Sequence, residues 1–186
     1  MNPSTKDILR AVEAVHSDKV VILPNNKNVV LTAQQVESLT NKSVKVVPTE
    51  TIAQGVTALV AFNPEADFET NAKLMTQAKS TVKTIEITWA THSARLNGLD
   101  IKKGQAIGLL DGRLLAVGDG AGEVLCDLLA RIDLAKAGII TIYYGADTDE
   151  TEAEQVSTGI RQQHPTLEVE VVDGGQPHYN YIVSVE

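Results

Sequence analysis

The chain has 186 residues, 43% of them hydrophobic and 22% charged, and a formal net charge of −8 at pH 7. It is long enough to bury a core, and the negative balance argues against nucleic acid or an anionic membrane surface as partner. The single cysteine, Cys126, excludes an internal disulfide; no apolar run spans a bilayer and the start MNPSTKDILRAV is no secretory signal, so a cytoplasmic location is expected.

In chain order, Ile8, Val12 and Val15 have helical spacing. Val20 to Leu23 is a short apolar run of the kind a strand buried on both faces shows. Val30, Ala33, Val36 and Leu39 predict a helix over 29–39, and Val44, Val46 and Val47 a second strand ended by Pro48. Thr51 and Gln54 stand at capping-box spacing, so a helix follows to about Phe62. Asn63-Pro64 restarts the chain, and Phe68, Ala72, Met75, Ala78 and Val82 line one face of a longer helix.

The texture changes at Thr84. Asn97-Gly98 and Asp111-Gly112 are two-residue hairpin signals, because both central positions must tolerate positive φ. With the Lys102-Lys103-Gly104 turn, they predict an antiparallel meander of about four strands. Val124 to Ile132 then reads as a helix and Gly138 to Tyr144 as a strand. Thr148 is placed as the cap of a helix that carries Glu150 and Glu152 in its first turn and ends at His164-Pro165. Leu167–Val172 and Tyr181–Val185 are the last strands. The fold class is α/β with a mixed sheet: an N-terminal α/β lobe over 1–83, and a β-meander-containing α+β lobe over 84–186. Two strands make a thin sheet for the first lobe, so the late strands are expected to complete it.

Signatures of catalysis are missing. No glycine-rich loop ends in Gly-Lys-Ser/Thr, no Gly-x-Ser-x-Gly elbow occurs, and the four histidines are not paired at metal-ligand spacing. Gly118-Asp119-Gly120-Ala121-Gly122 reads as a strand-to-helix turn, and Cys126 as a small buried residue of a leucine-rich helix. Three polar loops remain. In the first, Pro24-Asn25-Asn26-Lys27-Asn28, Asn28 is expected to cap the helix while Asn25 and Asn26 present amides for recognition. In the second, capping accounts for Thr51 and Gln54, and Gly55 inside a helix implies a close approach by a neighbouring helix or a partner. The third, Asp173-Gly174-Gly175-Gln176-Pro177, is longer than a tight hairpin needs and reads either as a rigid turn or as a fixed binding loop. The functional reading joins all three into one binding patch for a partner or ligand, with no catalytic residue and no metal.

VILPNNKN at 21–28, VPTETIAQGVTALVAFNP at 47–64, LNGLDIKKGQAIGLLDGRLLAVG in the centre and the ending VVDGGQPHYNYIVSVE resemble the C-terminal domain of the A-type subunit of fatty acid kinase. This is a dihydroxyacetone-kinase-like family, also labelled Dak phosphatase-like, and the likeness covers residues 16–186. The resemblance implies a DegV-like fold. It implies a kinase domain elsewhere that binds ATP and magnesium, and a separate DegV-like protein whose fatty acid becomes an acyl phosphate. No kinase domain is present in this sequence, so no cofactor site is carried onto it. The resemblance therefore implies a non-catalytic domain that docks the fatty-acid-binding protein, within a phosphotransferase of lipid metabolism. The alternatives are a lipid- or small-metabolite-binding module, and a dihydroxyacetone-kinase-like or phosphatase enzyme.

Overall fold

The computed structural model describes residues 2–186. The chain divides into two compact units, Met1–Val82 and Lys83–Glu186.

In the first unit the order is α1 (Thr5–Ala14), β1 (Lys19–Ile22), α2 (Lys27–Val36), β2 (Ser43–Val46), α3 (Ile52–Val60) and α4 (Phe68–Ala78). β1 and β2 pair in parallel, Val20 with Val44 and Ile22 with Val46. Alternation along β1 divides its side chains between two small cores. Val20 and Ile22 join Val12, Val36 and Val44, whereas Val21 and Leu23 pack with Val47, Ala58 and Met75. Helices thus cover both faces of a two-stranded parallel sheet. Each helix start is capped by a side chain: Ser4 forms a capping box with Asp7, and Asn26, Thr51 and Asp67 accept N–H groups of α2, α3 and α4. At the far end of α1, the Lys42 ammonium donates to the carbonyls of Val12, Glu13 and Val15.

The second unit contains β3 (Lys83–Trp89), β4 (Ala94–Leu96), β5 (Leu99–Ile101), β6 (Ala106–Leu110), β7 (Arg113–Gly118), α5 (Ala121–Leu129), β8 (Ile139–Tyr144), α6 (Glu150–Gln163), β9 (Glu168–Asp173) and β10 (Tyr179–Val185). Six strands form one mixed sheet in the order β7-β6-β3-β10-β8-β9. Only β8 and β9 are parallel within it, joined by the crossover through α6. Val124, Leu125 and Leu128 of α5 and Ala153 and Ile160 of α6 pack into one core with Ile85, Ile87, Ile140, Ile142 and Val183 of the sheet. β4 and β5 form a small separate hairpin, and Ile101 packs with Ala90 and Leu114. Both predicted hairpin turns have the required backbone: φ is 53° at Asn97 and 80° at Gly98, and 49° at Asp111 and 73° at Gly112.

Several local expectations are corrected. The late strands do not complete the first sheet; they join β3, β6 and β7, because β10 finds its antiparallel partner in β3. The meander has five strands, since the residues on either side of Asn97-Gly98 make their own short ladder. The helix expected over 29–39 ends at Val36. Asn26 caps it and Asn28 does not, because the Asn26 carboxamide oxygen accepts from Asn28 N–H at 2.9 Å. Asp149 takes the cap assigned to Thr148 and accepts from Thr151 N–H at 2.7 Å. Buried Thr148 instead donates to the Asn180 carbonyl. Asn63 forms a local turn through Glu65 N–H, and the long helix starts at Phe68 with Asp67 as its cap.

Candidate functional site

β1 and β2 run in parallel, so the loops that leave them emerge at the same sheet end and lead into α2 and α3. Carboxyl ends of parallel strands are where α/β sheets place ligands and partners. The two loops are tied together. Asn25 adopts φ 54°, a left-handed conformation that asparagine tolerates better than most residues. Its backbone N–H donates to Thr49 Oγ1 at 3.0 Å, and Thr49 Oγ1 donates back to Asn25 Oδ1 at 2.8 Å. Thr49 is fully buried. The Asn25 carboxamide in turn lies on Gly55, where an added Cβ would stand 2.1 Å from Asn25 Oδ1. The close approach at Gly55 is therefore made not by the expected helix or partner but by a neighbouring loop of the same unit, because the two strand-end loops meet there.

Around this corner the other sequence-selected residues have defined places. Asn26 is half-buried at its cap, while Asn28 is exposed in the first turn of α2. Thr51 is buried and accepts from Gln54 N–H at 3.2 Å. Gln54 Oε1 accepts from Glu50 N–H at 2.8 Å, one residue before the cap whose N–H a capping box would use.

The third loop belongs to the second unit, where its polar groups close on their own surroundings. Asp173 Oδ1 accepts from Gly175 N–H at 3.0 Å, and Gly175 has φ 58°. Gly174 N–H donates to the Tyr144 carbonyl, Gln176 Nε2 donates to the Tyr143 carbonyl at 2.9 Å, and the Gln176 carbonyl accepts from Ala146 N–H. A Cβ at Gly174 would meet the Gln176 carboxamide oxygen at 2.0 Å. This loop ties the end of β9 to the end of β8.

Two features of the first unit escaped the linear reading. The first is the outer side of α3. Ala53, Gly55 and Ala58 face inward, yet Ile52, Val56, Leu59 and Val60 are exposed, Leu59 by 61% and Val60 by 81%. They fall at i, i+4, i+7 and i+8, an apolar stripe on the solvent side of a helix, and Phe62 follows it, half exposed. The signal lay in IAQGVTALVAF, which is apolar at nearly every position, whereas a surface helix ordinarily has one polar face. The second is a groove of about 510 Å³ beside the stripe, lined by Val21 of β1, Leu23 just beyond it, Leu59, Phe62, Phe68 and Met75 among others.

Elsewhere, no group of three or more His, Cys, Asp or Glu side chains is placed to hold a metal ion among the described residues. Burial raises the Cys126 thiol above its usual range. Tyr181 is fully buried; burial first, then the Glu152 carboxylate that accepts its hydroxyl at 3.1 Å, push its pKa far above the usual phenol value. No helix among the described residues is long and apolar enough to cross a membrane.

The family of FakA-like C-terminal domains, those of the A-like component of fatty acid kinase, matches residues 1–186. Among curated proteins, Protein YloV of Bacillus subtilis is 39% identical over all 186 residues, which make up 34% of that protein. The chain thus spans about a third of the length of such relatives. Among solved structures, a DegV family protein of Eubacterium eligens loaded with heptadecanoic acid aligns with a TM-score of 0.68 at 16% identity, over 99% of this chain and 78% of that one. The fatty acid kinase B3 protein of Streptococcus pneumoniae, loaded with linoleic acid, aligns with a TM-score of 0.66 at 15% identity, over 99% of this chain and 76% of that one. At such identities the likeness shows the fold, which is that of DegV proteins.

Proposed function

Because the chain belongs to the FakA-like C-terminal family of fatty acid kinase, we propose that it is the non-catalytic domain through which a fatty acid kinase docks its DegV-like fatty-acid-binding protein. The observation that carries this reading is the exposed apolar stripe of α3, which begins at the corner fixed by Asn25, Thr49 and Gly55. Contiguous apolar surface rimmed by polar groups is the usual mark of a protein–protein contact. The same two loops add neutral amides, Asn25, Asn26 and Asn28, which can hydrogen-bond without the desolvation cost of a charge. Under this reading ATP and magnesium are handled by another part of the longer protein, and no residue of this chain is assigned to them. The three loops chosen from the sequence stand as candidates, with the third given the weaker case because its groups are spent within its own unit.

Titration calorimetry of the chain against a DegV-like carrier tests the proposal. Saturable binding at micromolar concentrations that is lost in Leu59→Lys supports it. Absence of heat, or binding that Leu59→Lys leaves untouched, removes the stripe as the docking surface.

A second reading, a lipid-binding module, draws on the groove between β1, α3 and α4. Its volume lies within the range of small-molecule sites, and Lys19 joins its apolar lining. Saturable binding of a fluorescent fatty acid that Met75→Trp blocks, in the absence of any carrier, would favour it over docking.

A further inference from the structure

The six-stranded sheet of the second unit ends on one side at β7, and that edge is irregular. Gly108 pairs with Ala116 and Leu109 with Leu114, so Leu115 is an extra residue that forms a bulge. Bulges at sheet edges re-aim side chains and often lie beside sites. The Leu115 carbonyl accepts from Arg131 Nη1 at 2.6 Å. Asp127 holds the same guanidinium through Nε at 3.3 Å and Nη2 at 2.7 Å. Three of its five N–H groups are used in this way, and the two others are left over.

Around the bulge lies an open cavity of about 490 Å³ lined by Asn97, Leu99, Arg113, Leu114, Leu115 and Arg131. Two guanidinium groups and one carboxamide line it, and no carboxylate does, although the chain as a whole carries a net charge of −8. Arg113 is exposed just beyond the Asp111-Gly112 turn, and its guanidinium makes no hydrogen bond or ion pair among the described residues. Unlike Arg113, Arg131 is fixed in advance by Asp127 and the bulge carbonyl, so little side-chain freedom is lost when it binds. The leucines supply an apolar wall.

We propose that this cavity is a binding site for a small molecule bearing an oxyanion on an apolar body, with Arg131 as the fixed donor and Arg113 as the one that closes on the ligand. The guanidinium fork suits phosphate and carboxylate oxygens alike. Phosphate esters and fatty carboxylates share that chemistry, and the experiment separates them.

The ¹⁵N-labelled chain is titrated at constant ionic strength with inorganic phosphate, with hexyl phosphate and with octanoate, following the Arg113 and Arg131 Nε–H resonances. The same titrations are run on Arg113→Gln and Arg113→Lys. The proposal expects saturable shifts of both resonances with at least one probe. Arg113→Gln should raise that Kd about tenfold, the size of one charge-assisted hydrogen bond, and Arg113→Lys should restore part of it. Tighter binding of hexyl phosphate than of octanoate assigns the site to phosphate esters and the reverse order to carboxylates, whereas binding of inorganic phosphate as tight as that of either probe overturns the role of the apolar wall and with it the proposal. If no probe shifts these resonances, or if Arg113→Gln binds as the parent does, the proposal is wrong. Arg113 contacts no other side chain through a hydrogen bond, so its substitution leaves the fold as the reference.

Discussion

Gly55 and Asn25 occupy each other's space: a methyl group on Gly55 would stand 2.1 Å from the Asn25 carboxamide oxygen, in a loop that begins a different helix. The glycine weakens α3 so that two strand-end loops can meet. Alanine at this position would gain about 1 kcal/mol of helix propensity. It would also expel the Asn25 side chain and break its bond to buried Thr49, at about 1–3 kcal/mol for the unsatisfied group plus the steric strain. Net of the helix gain, Gly55→Ala should therefore lower stability by up to about 2 kcal/mol, and by more with the strain, in urea denaturation. Asn25→Gly suits the positive φ and removes the obstruction, so the double variant should be more stable than the sum of the two single changes. Simple additivity would mean that the two residues do not interact.

The stripe on α3 separates function from stability. Val60 is 81% exposed, so Val60→Lys should change stability by no more than about 0.5 kcal/mol, and a cation suits the last turn of a helix. Under the docking proposal, the same change weakens binding of a DegV-like carrier severalfold. A large loss of stability would instead show that Val60 is covered in solution.

All four tyrosines, Tyr143, Tyr144, Tyr179 and Tyr181, are pushed above the usual phenol range, in each case by desolvation first. A group whose pKa is higher folded than unfolded gives stability that is complete below the unfolded value and fades as pH rises past it. Absorbance at 295 nm should accordingly show less phenolate at about pH 10 than free tyrosine, which is half ionised there. Stability should decline above that pH. Glu152→Gln removes the charge beside Tyr181 and should bring its ionisation to lower pH.

At the acid end the relevant groups are carboxylates at helix starts, the caps Asp67 and Asp149 and the capping-box residue Asp7. Hydrogen bonds from Ser4 to Asp7, from Thr70 to Asp67 and from Thr151 to Asp149 hold these carboxyls below the usual range. Depressed folded pKa values add stability above the unfolded pKa and lose it as pH falls through the folded one. Helical circular dichroism should thus stay level from neutral pH to about pH 5 and fall below about pH 4. Replacing the two caps Asp67 and Asp149 with Asn, which caps as well as Asp, should make that acid decline shallower.

The sequence by itself determined the elements, because their rules are local. Hydrophobic period, cap spacing and the Asn97-Gly98 and Asp111-Gly112 turns depend on neighbours within a few residues, and both turns adopt the backbone they encode. Two caps were read to within a residue or two and the third, Asp67 for Asn63, missed by four: competing side chains stand close together in Asn26-Lys27-Asn28 and Thr148-Asp149, and only the path of the entering chain decides which one reaches the free N–H groups. Long-range arrangement was left to tertiary structure. Strand composition does not encode which strand β10 will join, so the sheet of the second unit, and the isolation of β1 and β2 from it, had to be seen. The pairing of Asn25 with Thr49 and Gly55 is of the same kind, since those residues lie more than twenty positions apart and meet only because two parallel strands end side by side.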